Sequence, residues 1–307
     1  MTGAPQRSGV LVVDKAAGVT SFDVVGRVRT RLGVKRAGHA GTLDPDATGV
    51  LPVLLGEATK LMAYLADHDK EYRALVRFGV RTDTQDMSGR VLDETPVTGL
   101  TVASVAAAAR PFVGRIKQTP PMFSALHHEG RRLYELAREG VEVPREPREV
   151  VVHVLEVETV DGATASLRVV CGKGTYVRTL AADLGDVLGV GAAVERLTRL
   201  RVGPFSLADA VTWRELADAP PAALRDRIAP PEAALAAWSA VTLDVARTEA
   251  FRHGQAVDAG GASAGLVRVH DAEHAFIGVG AVDGDPVRLR PIRILHADRP
   301  GARVLPA

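Results

Sequence analysis

Gly38-His39-Ala40-Gly41-Thr42-Leu43-Asp44-Pro45-Asp46-Ala47-Thr48-Gly49 is a loop by composition, with three glycines and one proline in twelve residues. Pro45 has its φ fixed and pushes Asp44 out of the helical region. The backbone around that carboxylate is restricted, as a catalytic group requires, and loops of this kind carry function more often than architecture. An Asp-Pro pair alone reads as an ordinary turn beside a helix cap. The full twelve-residue run points instead to a site built around Asp44.

The flanks of the loop set the fold class. Upstream, Val10–Val13 reads as a short strand, and Ala16-Ala17-Gly18 turns the chain. Thr20 or Ser21 then caps a helix whose apolar positions Val24, Val25, Val28 and Leu32 share one face. Downstream, the continuous apolar run Val50–Leu55 predicts a buried strand, residues 57–66 a helix, and residues 72–80 a strand with partial alternation. Thr101 caps an alanine-rich helix ending near Arg110. Residues 150–160 and 163–171, joined through Asp161-Gly162, give the clearest hairpin signal in the chain. Residues 175–188 follow as a helix. Strands and helices mix without βαβ alternation, which predicts an α+β fold with a mostly antiparallel sheet.

Two stretches break this pattern. Residues 117–149 carry Pro120, Pro121, Pro144 and Pro147 around one short helix near Arg131–Glu139, ended by Gly140. With Arg110 and Arg115 included, this region holds eight basic side chains, and it reads as an insertion projecting from the sheet. Pro220, Pro221, Pro230 and Pro231 punctuate a second, alanine-rich stretch. Beyond it, β-type segments near 266–269, 276–282 and 287–289 alternate with Gly and Asp turns. The expected organisation is a catalytic domain over residues 9–217, a linker over 218–237, and a small β-rich domain over 238–307.

Composition narrows the class. The chain has 307 residues, 46% hydrophobic and 24% charged, as in an ordinary globular protein. A single cysteine, Cys171, excludes an intramolecular disulfide and any multi-cysteine metal site. A reducing cytoplasmic location is expected, with no signal peptide and no membrane span. Net charge is only +1. Its distribution says more: residues 24–43 hold Arg27, Arg29, Arg31, Lys35 and Arg36 with no acid, and run straight into the loop. Other signatures fail. Gly33…Gly38 lacks the following Lys-Ser/Thr of a phosphate-binding loop. His127-His128 has no partners at metal spacing. Asp44 and Asp46 stand too close on one loop to flank a sugar from both sides.

The twelve-residue run closely resembles the catalytic motif of the TruB-type tRNA pseudouridine synthases. Further pieces occur in that family's order. Asp69-Lys70-Glu71-Tyr72-Arg73 resembles its tyrosine-bearing strand. Residues 118–125 (Gln-Thr-Pro-Pro-Met-Phe-Ser-Ala), with 130–140, resemble its tRNA-gripping insertion. Residues 171–178 (Cys-Gly-Lys-Gly-Thr-Tyr-Val-Arg) resemble its arginine motif, and the C-terminal region, ending in residues 288–295, is similar to a PUA-type RNA-binding domain.

This resemblance implies a pseudouridine-synthase fold and isomerisation of uridine to pseudouridine at position 55 in the T-loop of tRNA, without cofactor or metal. Asp44 would be the central catalytic group, as a nucleophile or as a base assisting elimination. Arg178 would pair with Asp44 and aim it. Tyr72 would lie against the flipped uracil and shuttle the C5 proton. Tyr176 and Leu197 would wall the pocket, Lys60 would support the motif loop or touch RNA, and His39 would fill the space the flipped base vacates. The expected partner is the T-arm of tRNA, with no obligate protein partner and a monomeric state. Two alternatives are an RNA-guided synthase subunit of the dyskerin type and a non-catalytic tRNA-binding or tRNA-folding protein.

Overall fold

The computed structural model describes residues 8–296, so the last eleven residues of the expected C-terminal unit lie outside it. A ten-stranded sheet forms the body. Its strands are β1 (Gly9–Lys15), β2 (Ala37–His39), β3 (Thr48–Leu55), β4 (Lys70–Phe78), β5 (Gly114–Gln118), β6 (Arg148–Asp161), β7 (Thr164–Cys171), β8 (Ala192–Val202), β9 (Phe205–Ser206) and β10 (Val211–Thr212). They run in the order β10-β1-β3-β8-β4-β7-β6-β5, with β2 on β3 and β9 on β8. Only the β1–β10 and β3–β8 pairs are parallel. The mostly antiparallel α+β expectation therefore holds.

The two halves of the sheet differ in how they are covered, and the sequence patterns follow. On the β1–β3 half, one face packs against α1 (Ser21–Leu32) through Val24, Val25, Val28 and Leu32. The other face packs Val10, Val50 and Leu54 beneath Leu61 and Leu65. A strand covered on both faces needs no alternation, which is why Val50–Leu55 reads as a continuous apolar run. On the β4–β7 half only one face is covered, by α3 (Val102–Ala109) and α5 (Val177–Val187). Accordingly β4 buries Tyr72, Ala74, Val76 and Phe78 and turns Arg73 and Arg77 to water. On that wet face Arg73 pairs with Glu158 at 2.9 Å and Arg168 with Glu71 at 2.8 Å.

Several local expectations hold with small shifts of boundary. Thr20 caps α1 in a reciprocal capping box with Asp23, and Thr101 caps α3 in the same way with Ser104. The predicted hairpin is β6–β7. The helix predicted over 57–66 divides into a 3-10 turn, Gly56–Leu61, and α2, Met62–Asp67. The insertion leaves the sheet at Gln118 and rejoins it at Arg148, which are paired neighbours on β5 and β6. It carries a two-stranded turn, His127–His128 against Arg131–Arg132, and the short helix α4, Leu133–Arg138.

Residues 218–237 are closely packed. The helices α6 (Trp213–Asp218) and α7 (Pro221–Asp226) bury Leu216 and Leu224 against α1, and Ala234 and Leu235 join the core beneath β1. The C-terminal unit is a five-stranded sheet in the order 240–242, 265–270, 276–283, 288–294, 257–258, with α8 (Val245–Arg252) against its core. It is tied to the body: Val279 and Leu295 lie in the same cluster as Val10 and Leu61, and His270 meets Glu232 at 2.6 Å.

Candidate active site

The motif loop crosses the edge of the core beside β8, and bonds to its backbone hold it at several points. Gly49, at the start of β3, has φ of 103°, and a Cβ there would lie 2.1 Å from the Arg199 carbonyl, so only glycine lets β3 and β8 meet. Leu43 and Ala47 are buried in the cluster that contains Tyr72, Val177 and Leu180. The Ser21 hydroxyl accepts from the Leu43 N–H at 2.9 Å and donates to its carbonyl at 3.1 Å. The Ala47 N–H closes a tight turn on the Asp44 carbonyl at 3.1 Å.

Two buried cations complete the cradle. Lys15 is fully buried at the end of β1, and its Nζ donates to the carbonyls of Pro45 and Val19, both at 2.7 Å, and of Ala16 at 3.0 Å. Burial pulls its pKa down to about 8, against the pull of Asp46 and Asp44. Arg199 is 1% exposed on β8. Its guanidinium donates to the carbonyls of Val50 at 2.8 Å, Gly41 at 3.1 Å and Thr42 at 3.4 Å. The loop is thus pinned on one side of Asp44 by Arg199 and on the other by Lys15. Neither cation was anticipated. Lys15 lies on a strand that otherwise reads as plain core. Arg199 lies on a strand whose alternation is broken by two irregularities, at Val194/Arg196 and Arg199/Arg201.

The structure brings Asp44, Tyr72, Arg178, Tyr176 and Leu197 to this end of the sheet, while His39 stands opposite Val53, four residues along β3 from Gly49, with Arg199 nearby. Arg178 is 5% exposed while Asp44 keeps 40% of its side chain open. Arg178 Nε lies 2.9 Å from Asp44 Oδ2, and Nη2 donates to Oδ1 at 3.3 Å, a fork-on-fork pair. The remaining donors are used: Nη1 to the Thr84 carbonyl at 2.6 Å and within 3.5 Å of Asp86, and Nη2 to the Phe123 carbonyl at 2.8 Å. Asp86 and the Thr84 carbonyl were not foreseen, since their loop carries no motif in the sequence.

Tyr72 is buried, which raises its pKa, and its ring hydroxyl faces Arg199. Tyr176 is the N-cap residue of α5; burial raises its pKa as well. Leu197 packs against the cluster that holds Leu43 and Tyr72. His39 ends β2; burial, then the nearby Arg199 charge, lowers its pKa, and its buried Nδ1 has no hydrogen-bond partner among the described residues. Lys60 is placed elsewhere. It lies past the far end of β3, beside β2, and a strand of eight residues or about 25 Å separates it from the Thr48–Gly49 end of the motif. Its Nζ bonds Glu57 at 2.5 Å and the Ile294 carbonyl at 2.7 Å, so it ties the body to the C-terminal sheet. A lysine in the first turns after the motif gives no sign in sequence of which strand end it reaches.

The arrangement offers a part-exposed carboxylate, aimed by a buried arginine and neighboured by two buried tyrosines. Among the described residues no group of three or more His, Cys, Asp or Glu could hold a metal ion, and no helix is long and apolar enough to cross a membrane.

Comparison with known proteins agrees with this geometry. Residues 29–177 match the TruB family pseudouridylate synthase N-terminal domain, residues 178–236 the tRNA pseudouridylate synthase B C-terminal domain, and residues 239–295 the pseudouridine synthase II TruB C-terminal domain. A tRNA pseudouridine synthase B of Symbiobacterium thermophilum is 51% identical over 256 residues, covering 82% of this chain and 84% of that protein. The Pseudomonas fluorescens protein of the same name is 44% identical over 296 residues, covering 95% and 96%. Among solved structures, a Cbf5-Nop10-Gar1 complex superposes with a TM-score of 0.70 at 28% identity, covering 89% of this chain and 78% of the other. The fold is that of the pseudouridine synthases, with a PUA-like C-terminal β unit. By the three family matches in sequence order and by identity across most of its length, the chain belongs to the bacterial TruB family of pseudouridylate synthases.

Proposed function

We propose that this chain isomerises uridine to pseudouridine in tRNA, at position 55 of the T-loop. The observation that carries the reading is the Asp44–Arg178 fork at 2.9 and 3.3 Å, set on a pinned loop, in a chain of this family. In the reaction the C1′–N1 bond breaks, the base turns, a C1′–C5 bond forms, the C5 proton leaves and N1 gains one. Nothing is oxidised and no group is imported, so this chemistry asks for no cofactor. Asp44 supplies the carboxylate, as nucleophile or as eliminating base. Arg178 holds and orients it. Tyr72 stacks on the base and carries the C5 proton, and Tyr176 and Leu197 wall the recess.

A stacked uridine must leave the RNA fold to reach Asp44, which costs a few kcal/mol. His39 fills the vacated space; its lowered pKa keeps it neutral at pH 7 and suits stacking. The insertion, with Arg132 and Arg138 over the Tyr134 ring and Arg131 beside them in sequence, grips the T-arm. We assign catalysis to residues 9–217, the packed connection to 218–237, and a PUA-like RNA-binding unit to 238–307. The protein works as a cytoplasmic monomer. The RNA-guided reading is weaker, because the synthase B relatives stand at 44 and 51% identity and the Cbf5-containing complex at 28%. The test is the purified chain alone on a bare T-arm stem-loop, with Asp44→Asn as control. Pseudouridine formed by the wild type and not by the variant supports the reading. A wild-type chain that needs another protein or a guide RNA overturns it.

A further inference from the structure

The insertion is rooted on the helix turn that carries Arg178. Gln118 is the last residue of β5, paired with Arg148, and the excursion of 119–147 leaves and returns at this pair. Its side chain is 2% exposed and turned toward α5. Oε1 accepts from the Tyr176 N–H at 2.8 Å, and Nε2 donates to the Tyr176 carbonyl at 3.1 Å. Only one orientation of the carboxamide satisfies both bonds. Tyr176 begins α5, its N-cap side chain makes no capping bond, and its carbonyl also accepts the first helical bond, from the Leu180 N–H at 3.1 Å. Gln118 therefore occupies the free N–H and the remaining carbonyl lone pair of Tyr176, two residues before Arg178. Arg178 in turn donates to the carbonyl of Phe123, inside the insertion.

We propose that Gln118 is a positioning residue that couples the placement of the insertion to the Arg178–Asp44 pair. β5 lies at the sheet edge with one strand neighbour, so its end is among the freer parts of the sheet. A carboxamide with two bonds to a helix start acts there as a short strut. When RNA fixes the insertion, the strut fixes the first turn of α5, and Arg178 holds Asp44 in line. Without it, the Arg178–Phe123 bond and the Ser124 hydroxyl facing Tyr176 still join the two, but no side chain among the described residues bonds the backbone at the helix start. The inference rests on the assignment of Asp44 and Arg178 to the reaction.

The experiment uses the full chain and two variants, Gln118→Ala and Gln118→Glu. The second keeps size and an acceptor but loses the donor, so it carries the test if the first folds poorly. Affinity for tRNA and the single-turnover rate at saturating enzyme are measured together. The expected result is an affinity within about twofold of wild type and a rate lower by about tenfold, the scale of one lost hydrogen bond to an oriented group. Hydrogen exchange gives the second readout. In the wild type, tRNA should slow exchange at the Thr179–Ala181 amides; in the variants that added protection should vanish while tRNA stays bound. A merely structural glutamine would leave it in place. Unchanged rates, rates and affinities falling in parallel, or persisting protection would each overturn the proposal. A wild-type chain without turnover would instead strike the proposed function, and the exchange result alone would then judge Gln118.

Discussion

Replacing Arg178 by lysine keeps the charge and removes the fork, and the structure sets the size of the effect. The guanidinium makes two contacts to Asp44, one each to the Thr84 and Phe123 carbonyls, and a longer one to Asp86. An ammonium is a single point with three donors on a shorter reach, and cannot span these four groups at once. At least two charge-assisted bonds are lost, each at about 1.5–3 kcal/mol. If they act on the transition state, the loss of about 3–6 kcal/mol corresponds to a rate lower by about a hundred to ten thousandfold. Binding should change little, because Arg178 is 5% exposed and cannot reach a phosphate. The assay is single-turnover pseudouridine formation with enzyme in saturating excess, beside a tRNA binding titration. A rate within about fivefold of wild type, or a rate and an affinity falling together, would refute the reasoning: Arg178 would then be scaffold or RNA grip.

Asp44→Asn keeps shape but removes the carboxylate; turnover should disappear while tRNA still binds, and measurable product would sink the assignment of Asp44. His39→Ala should slow a structured T-arm more than a substrate whose uridine is already unstacked, since less flipping energy is then needed; equal slowing on both, with a titration in the rate, would make His39 an acid or base instead. Stability should climb from pH 7 to 9. Lys15 and Lys70 both have folded pKa values of about 8, below 10.5, so the unfolded chain binds more protons above pH 8 and each lysine adds about 1 kcal/mol over that range. Cys171, raised to about 11 by burial, returns a few tenths as the unfolded thiol ionises toward pH 9. Denaturant midpoints at pH 7, 8 and 9 decide it, and a flat or falling series contradicts the buried-lysine account.

What the sequence revealed follows from how each part is covered. α1, β3 and the β6–β7 hairpin were legible because local pattern and tertiary environment agree: one buried face, two buried faces, and a tight turn at Gly162-Ala163 just after Asp161. β8 was not, although it is the central strand that joins β3 to β4. Its two irregularities shift the side-chain phase, and a buried arginine occupies a position that alternation would assign to an apolar residue. The candidate site divides along the same line. Asp44, Tyr72 and Arg178 sit in distinctive motifs. Lys15, Asp86, Arg199 and Gln118 act through backbone carbonyls or peptides of distant segments, and such contacts leave no trace in local sequence. Lys60 shows the converse: the neighbourhood of a motif in sequence does not set which end of a strand its side chain reaches.

The buried cations also explain how an apolar core supports a charged site. Lys15 and Arg199 are placed inside at a cost of desolvation, and neither forms a direct ion pair with Asp44. They bond carbonyls instead, on both sides of Asp44, and so spend their donors on the shape of the loop. Among the described residues Arg178 alone bonds the carboxyl oxygens, and it is itself held by Thr84, Phe123 and the Gln118-bonded start of α5. Apolar residues of similar volume could often match such buried charges in stability. They could not fix three carbonyl directions from one side chain. The division is therefore between two cations that fix where Asp44 stands and one that fixes where its oxygens point, and the proposed reaction, in which a base turns over a single sugar carbon, would draw on both.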